Sequence, residues 1–201
     1  MESKKEALEK VKNNILEGKS IPLADTATNL VFGKGNENAD ILFIGEAPGA
    51  NEDLQGIPFV GAAGKELDRL LHMIGLSLED VYIANILKYR PPNNRNPNVE
   101  EIRMHTPYLI EQIKIIKPRI ICTLGNFATK FVLAHFDVDG MKKIGGITFL
   151  HGKAVEIKVD GMNFTVIPLY HPAATIYNRK LKPELEKDFM NIKNFLMLRG
   201  R

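Results

Sequence analysis

The apolar positions of this chain fall into two spacings, one typical of buried strands and the other of amphipathic helices. Four short runs, at residues 41–44, 81–84, 120–124 and 164–169, are almost entirely apolar, which predicts strands buried on both faces. Apolar residues at intervals of three and four predict helices over residues 4–16, 64–74, 102–116, 126–132 and 183–198. Because strands alternate with helices, we expect a mostly parallel sheet with helices on both faces and the strand ends aligned on one rim.

Between residues 145 and 161 the pattern changes to an alternation of apolar and polar residues. Ile147 and Phe149 precede the turn residues His151 and Gly152, and a second alternating run follows at residues 155–159. Alternation on both sides of a turn predicts a β-hairpin, which we place at the edge of the sheet.

The first predicted strand leads into a segment with five glycines in twenty residues, 45–64. α/β proteins place their sites at strand ends, and glycines let the backbone approach a ligand closely. Glu46 and Phe59 add a carboxylate and an aromatic face, which favours a flat polar ligand; an ordinary strand-to-helix connection is the alternative. The segment lacks the spacing of a dinucleotide fingerprint, and Gly64-Lys65 is followed by Glu66 rather than the serine or threonine of a phosphate-binding loop.

A chain of 201 residues with 44% hydrophobic and 25% charged residues is expected to form one globular domain, residues 1–201. No apolar run is long enough to cross a bilayer and the charged N-terminus lacks a signal core, so we expect no membrane contact and a cytoplasmic location. The net charge of +3 is compatible with a polyanionic partner without requiring one. The single cysteine, Cys122, lies in an apolar run and the five histidines lack ligand spacing, so no metal site is predicted.

Asn85 and His171 follow the second and the fourth predicted strands. The Asn85 amide can offer a donor and an acceptor together, which matches the edge of a pyrimidine with a carbonyl beside an N–H, as in uracil, and mismatches cytosine. A neutral His171 could donate to a carbonyl oxygen that gains negative charge. Each residue also has an ordinary interpretation, a turn cap for Asn85 and a surface loop residue for His171.

Other side chains at the same rim have candidate roles. The Phe59 ring could stack beneath a base, and Glu46 could hold a water or offset positive charge at the anomeric carbon of a sugar. Lys88, Arg90 and Arg95 stand among prolines after the second strand, where they could meet phosphates or belong to a solvated loop. Each signal is weak alone, and one shared cleft is the economical explanation for all of them.

Several sequence blocks occur here in a fixed order. They are Gly45-Glu46-Ala47-Pro48-Gly49, Pro58-Phe59-Val60-Gly61, Ala84-Asn85 with Lys88-Tyr89-Arg90-Pro91-Pro92, Leu124-Gly125, and Tyr170-His171-Pro172-Ala173-Ala174. This order strongly resembles the family-four uracil-DNA glycosylases over nearly the whole chain. The resemblance implies an α/β fold, a three-layer α/β/α sandwich with a central four-stranded parallel sheet. It also implies hydrolysis of the N-glycosidic bond of deoxyuridine in DNA, which starts base excision repair.

The resemblance further implies roles for individual residues. Phe59 would stack on uracil, and Asn85 would read its polar edge. His171 would hydrogen-bond the carbonyl oxygen on which charge accumulates, and Glu46 would lie near the attacking water, so these two are the candidate catalytic residues. The candidate substrate-binding residues are Gly45, Ala47, Gly49, Phe59, Asn85 and His171. The candidate DNA contacts are Lys88, Arg90, Arg95, Ala174 and Arg179, of which the last two belong to a loop that would enter the duplex.

The implied substrate is uracil-containing DNA, either single-stranded or double-stranded. A nucleotide inside a stacked duplex must be taken out before it can react, at a cost of a few kcal/mol. Bond cleavage creates an oxocarbenium-like sugar and a uracil anion, so catalysis is chiefly charge stabilisation before water adds. We therefore expect a monomeric, monofunctional glycosylase that needs neither a metal nor a redox cofactor.

One departure from the family concerns four cysteines that hold a four-iron four-sulfur cluster. The corresponding positions fall near Gly18 and Ile21 and at Tyr89 and His105, and Cys122 lies elsewhere, in a strand. Because such clusters need thiolate ligands in number, no cluster is predicted. We expect Ile21 and the Tyr89 ring to fill the vacated volume, with a hydrogen bond between His105 and the Tyr89 hydroxyl.

Two other functions are compatible with parts of the pattern. A non-catalytic binder of uracil-containing or damaged DNA would keep the recognition residues and lose turnover. A nucleotide hydrolase would use the glycine-rich segment. The retention of Glu46, Asn85 and His171 argues against the first, and the missing lysine-serine pair and the lack of clustered carboxylates argue against the second.

Overall fold

Six strands form the centre of the protein, whose structure, a computed structural model, describes residues 2–18 and 21–198. The strands are β1 Lys34–Gly35, β2 Ile41–Gly45, β3 Val81–Asn85, β4 Ile120–Leu124, β5 Val155–Val159 and β6 Met162–Leu169. They lie in the order β1-β3-β2-β4-β6-β5. The four inner strands are parallel, and the two edge strands pair antiparallel with their neighbours.

The four predicted strands are confirmed as the parallel part of this sheet. The complete sheet has two further strands, because β1 and β5 extend it at opposite edges. β5 corresponds to the second arm of the predicted edge hairpin, whereas β1 has two residues and therefore no periodicity that could reveal it. The expected four-stranded parallel sheet is thus the core of a larger, mixed sheet.

Helices cover both faces of the sheet. The α-helices that the structure describes are α1 Lys4–Glu17, α2 Ala50–Gln55, α3 Ala62–Met73, α4 Val99–Ile116, α5 Asn126–Leu133, α6 Ile147–Leu150, α7 Pro172–Tyr177 and α8 Lys182–Leu198. Local chemistry sets their ends: Ser3 and Glu6 form a capping box at the start of α1, and Asn98 and Glu101 form another at α4. Among the described residues, no helix combines the length and the apolar character that a membrane crossing requires.

The strand β2 shows how the layers pack. Leu42 and Ile44 are buried against a cluster that includes apolar residues of α1, α4 and α5, whereas Ile41 and Phe43 are buried on the side of α3 and α8. Cys122 of β4 is fully buried on the second side, and burial raises the pKa of its thiol far above the usual range. The fold is a three-layer α/β/α sandwich, as expected.

The predicted hairpin with its turn at His151 and Gly152 is wrong in its first arm and its turn, and only its second arm is a strand. Residues 147–150 form α6, whose first N–H, from Ile147, is accepted by Asn126 Oδ1 at 2.9 Å. A four-residue segment is too short to be assigned to strand or helix by periodicity, and here the side-chain acceptor favours a helical turn. The hairpin is formed by β5 and β6, which are joined through Asp160 and Gly161, both with positive φ.

Candidate active site

The carboxyl ends of the parallel strands meet at one rim, where a cavity of about 320 Å³ opens. β2 and β3 pair in a register that places Gly45 beside Asn85, and His171 follows the end of β6. The cavity brings together residues from several parts of the chain. Its lining includes Glu46, Ala47, Gly49, Phe59, Asn85, Arg95 and His171.

Asn85 ends β3 and directs its amide into this cavity. The residue is 2% exposed, and its Oδ1 is a buried acceptor for which the described residues supply no hydrogen-bond partner. Leaving such an atom unsatisfied costs about 1–3 kcal/mol. The position therefore fits a ligand that brings its own N–H donor.

Phe59 provides an aromatic face in the same cavity. Its ring centroid lies 5.7 Å from that of His171, with 26° between the ring planes. The backbone of Phe59 has a φ of 53°, an uncommon value for a bulky residue, and its carbonyl oxygen accepts a hydrogen bond from Lys34 Nζ at 2.9 Å. A Cβ at Gly64 would overlap that carbonyl, so α3 can approach this loop only with glycine there.

Gly45 lies against the Asn85 amide and the Phe59 ring. A Cβ on this residue would overlap Asn85 Oδ1 and lie 2.8 Å from Phe59 Cζ. The absence of a side chain therefore allows the amide and the ring to approach each other across the end of β2.

His171 is the N-cap of α7, and this position determines its tautomer. Its Nδ1 accepts the Ala173 N–H at 3.2 Å, and burial lowers the pKa of the imidazole to about 4. The ring is therefore neutral at physiological pH, with its proton on Nε2. That N–H is available as a donor to a ligand oxygen in the cavity.

Two carboxylates belong to the cavity, and sequence reasoning identified only one of them. Burial raises the pKa of Glu46, the predicted residue. Glu52 accepts the N–H groups of Gly49, Val60 and Gly61 at 3.2, 2.9 and 2.8 Å, so it joins the two ends of the glycine-rich segment. A glutamate three residues after the N-cap Gly49 is a capping signal that could have revealed Glu52.

The prediction that Lys88 meets a phosphate is wrong. Lys88 is fully buried, its Nζ donates to the Asn85 carbonyl and to Gln112 Oε1, and burial lowers the pKa of its ammonium to about 7. Arg95 lines the cavity and is paired with Glu101 while its side chain stays 45% exposed. The guanidinium of Arg90 donates to Asn94 Oδ1 at 2.8 Å.

The segment after His171 forms α7 and a short turn beside the cavity. Ala174 is partly buried, whereas Ile176 and Tyr177 are 49% and 90% exposed. Arg179 is exposed at the start of the following 3₁₀ turn. The segment therefore presents an apolar tip followed by a cation.

The positions that correspond to cluster cysteines do not offer the ligands of an iron–sulfur cluster. Ile21 and Tyr89 are buried, and His105 contacts the Tyr89 ring edge-on, with centroids 6.3 Å apart. Both nitrogens of His105 are occupied, since Nδ1 accepts the Lys88 N–H and Nε2 donates to the Pro22 carbonyl, each at 2.9 Å. The expected hydrogen bond between His105 and the Tyr89 hydroxyl is therefore wrong. No thiolate stands at these positions to bind iron.

Comparisons with known proteins identify the family of this chain. The family model described as the uracil DNA glycosylase superfamily matches residues 32–193. A type-4 uracil-DNA glycosylase of Archaeoglobus fulgidus is 46% identical, over 93% of this chain and 92% of that protein. The type-4 enzymes of Sulfurisphaera tokodaii and Thermotoga maritima are 43% and 39% identical, over 94% and 100% of this chain and 84% and 100% of their own lengths. This chain therefore belongs to the uracil-DNA glycosylase superfamily, and within it to the type-4 enzymes.

Proposed function

We propose that this protein is a uracil-DNA glycosylase that hydrolyses the N-glycosidic bond of deoxyuridine in DNA, releasing uracil and leaving an abasic site. The relatives named above are uracil-DNA glycosylases, and this chain matches them over most of their lengths. The observation that carries the proposal is the unpartnered Asn85 Oδ1, in one cavity with the Phe59 ring and the His171 imidazole.

An extruded uracil satisfies each group in this cavity. Its flat ring stacks on Phe59, and its N3–H donates to Asn85 Oδ1. Cytosine has an acceptor at N3, which would face the Asn85 oxygen and leave two acceptors without a proton between them. The cavity therefore favours uracil over cytosine through the acceptor that the protein leaves unpaired.

Bond cleavage leaves negative charge on the uracil carbonyl oxygen and positive charge on the sugar. His171 donates its Nε2–H to that oxygen, and a donor held in place before the reaction stabilises developing charge without reorganisation. Glu46 supplies a partly desolvated carboxylate that offsets the positive sugar and orients the attacking water. Catalysis in this proposal is electrostatic, and neither residue forms a bond to the substrate.

We propose that the enzyme is monofunctional. A glycosylase that also cuts the strand uses an amine as its nucleophile, and Lys88 lies directly behind Asn85. Its Nζ is turned away from the cavity, toward the Asn85 carbonyl at 2.8 Å and Gln112 Oε1 at 2.6 Å. The described residues that line the cavity include no lysine, so in this proposal water is the nucleophile and the product is an intact strand with an abasic site.

We further propose that the protein acts without an iron–sulfur cluster, as a cytoplasmic monomer. The hydrogen bonds of His105 and the packing of Tyr89 take the place of the cluster in joining the segment at Pro22 to the loop after β3.

The proposed activity is tested with a labelled oligonucleotide that carries one uracil. We expect strand cleavage after alkali treatment, both opposite guanine and in single strands, and we expect a chelator to leave the rate unchanged. Oligonucleotides with cytosine or thymine at the same position are the control and should stay intact. Bound but uncut DNA would support the non-catalytic alternative, and strand cleavage without alkali would contradict the monofunctional assignment.

The segment after His171 is proposed to contact the DNA backbone and to support the extruded nucleotide. Replacing Arg179 by alanine is expected to weaken DNA binding and to lower the slope of log affinity against log salt by about one, since one phosphate contact is lost. Binding is measured by fluorescence anisotropy over a range of salt concentrations. Lys158→Ala is the matched control, because Lys158 is exposed on edge strand β5 and pairs with Asn163 at the opposite end of β6 from His171. Equal salt-dependence slopes for the two variants would show that Arg179 does not contact a DNA phosphate.

A further inference from the structure

We propose that Lys88 is a positioning residue, which holds the uracil-reading Asn85 in place through a buried hydrogen-bond network. The inference rests on the proposed role of Asn85. It adds a second residue that uracil recognition needs, although that residue lies behind the cavity and does not contact uracil. It assigns to a buried amine a role that its neighbours in sequence, Arg90 and Arg95, do not share.

The first observation is the direction of the Lys88 side chain. The residue is fully buried, and its Nζ donates to the main-chain oxygen of Asn85 at 2.8 Å and to Gln112 Oε1 at 2.6 Å. The Phe32 ring lies 5.9 Å from the same nitrogen, a distance at which an aromatic face attracts a cation. Lys88 thus connects the end of β3 to α4 through the interior.

The second observation is that the other atoms of the network are fixed as well. The Lys88 N–H donates to His105 Nδ1, and His105 Nε2 donates to the Pro22 carbonyl. The Gln112 amide donates to the Phe32 carbonyl at 3.0 Å. Lys88 is therefore anchored at its backbone and at its side chain, which makes it a rigid support rather than a mobile tether.

The third observation concerns Asn85 itself. Its Oδ1 has no partner among the described residues, so no hydrogen bond from within the cavity holds that oxygen before the substrate arrives. The orientation of the amide then depends on the packing around it and on the backbone to which it is attached. At the end of β3, Lys88 Nζ binds the carbonyl of that backbone, directly behind the side chain.

Energetics favour a specific purpose for this amine. Lysine is almost never fully buried, because desolvation of its ammonium is costly. An apolar side chain of similar length would fill the volume without that cost. The amine contributes what such a side chain cannot, a donor to the Asn85 carbonyl. The inference therefore predicts that Lys88 matters for uracil recognition more than for stability.

The test is a double-mutant cycle between Lys88→Met and Asn85→Ala, read as kcat and KM on a uracil-containing oligonucleotide. Lys88→Met alone is expected to lower kcat/KM roughly ten- to hundredfold, the size of a lost buried hydrogen bond. Asn85→Ala alone is expected to have a larger effect. The double variant should be no slower than Asn85→Ala, because the support has no function once the amide is absent.

A matched control separates positioning from general destabilisation. Thr129→Val removes another fully buried hydrogen bond, the 2.8 Å contact between the hydroxyls of Thr129 and Thr123. Neither threonine lines the cavity. Melting temperatures are measured for every variant. Thr129→Val is expected to lower the melting temperature and to leave kcat/KM unchanged in either background, whereas Lys88→Met should change kcat/KM only when Asn85 is present.

Each other outcome overturns the inference in a recognisable way. If Lys88→Met has wild-type kinetics, or if the losses of the two single variants multiply in the double variant, Lys88 has only a structural role. Either outcome leaves the proposed role of Asn85 in uracil recognition unchanged. Full activity of Asn85→Ala would overturn the proposed role of Asn85 and this inference together. Should Lys88→Met fail to fold, Gln112→Met tests the same hydrogen-bond network, because Gln112 accepts from Lys88 Nζ. Its effect on kcat/KM must likewise vanish when Asn85 is replaced by alanine.

Discussion

A His171→Ala variant is expected to release uracil roughly a hundred- to a thousandfold more slowly than the wild type, the usual cost of removing one preorganised donor. The imidazole is fixed by the Ala173 N–H and by the Phe59 ring, so its Nε2–H is in place before charge develops. Because the donor acts on the leaving uracil, kcat should fall more than KM rises. Single-turnover kinetics separate these two effects.

The pH dependence provides an independent check on the same residue. With a pKa of about 4, His171 is neutral above pH 5, so the wild-type rate is not expected to fall as the pH rises through 6.5. In the unfolded chain His171 and the buried His105 both bind a proton near pH 6.5, so both contribute to a stability that should decrease as the pH falls from 6.5 toward 4. His72→Ala is the control, since His72 is exposed in the last turn of α3. A rate that falls above pH 6.5, as an imidazolium would lose its proton, would contradict a neutral His171 donor.

Gly45→Ala is expected to reduce kcat/KM at least a hundredfold, although it adds a single methyl group. The new Cβ would overlap Asn85 Oδ1 and crowd the Phe59 ring, the two groups proposed to hold the base. Displacement of reacting groups by about 1 Å can cost 10²-fold in rate. The effect should appear in both kcat and KM, because stacking and edge recognition are disturbed together.

The comparison for this variant is Gly145→Ala. A Cβ on Gly145 would meet no heavy atom of the described residues within 4 Å, so the same substitution there should leave activity and melting temperature near those of the wild type. Steady-state kinetics and thermal unfolding of both variants are sufficient. Normal uracil release by Gly45→Ala would show that Asn85 and Phe59 tolerate displacement, against the proposed geometry.

Much of the fold was predictable because buried parallel strands have a characteristic sequence pattern, a short and almost entirely apolar run. The four inner strands read as apolar runs in which nearly every residue is buried. Right-handed crossovers then require the strand ends to lie on one rim, so the sequence alone predicts that Asn85 and His171 lie close together. β1 and α6 were not predicted, because two and four residues are too few to show a period.

The site was less predictable where long-range contacts decide the direction of a side chain. Lys88 stands between Leu87 and Tyr89 and close to two arginines, and nothing in that run indicates that it turns inward. The acceptor that draws it inward is Gln112, 24 positions away on α4. His105 is a similar case, since its partner is the carbonyl of Pro22, from a segment 83 positions earlier.

The two edges of the sheet have a consequence for behaviour at high concentration. An exposed strand edge is a template on which further chains can add and grow into fibrils. Here one edge is the two-residue β1, and the other is β5, which alternates the charged Glu156 and Lys158 with apolar residues. Neither offers a long, flat, uncharged surface, so self-association by strand addition is disfavoured and the protein should withstand concentration without forming amyloid-like aggregates.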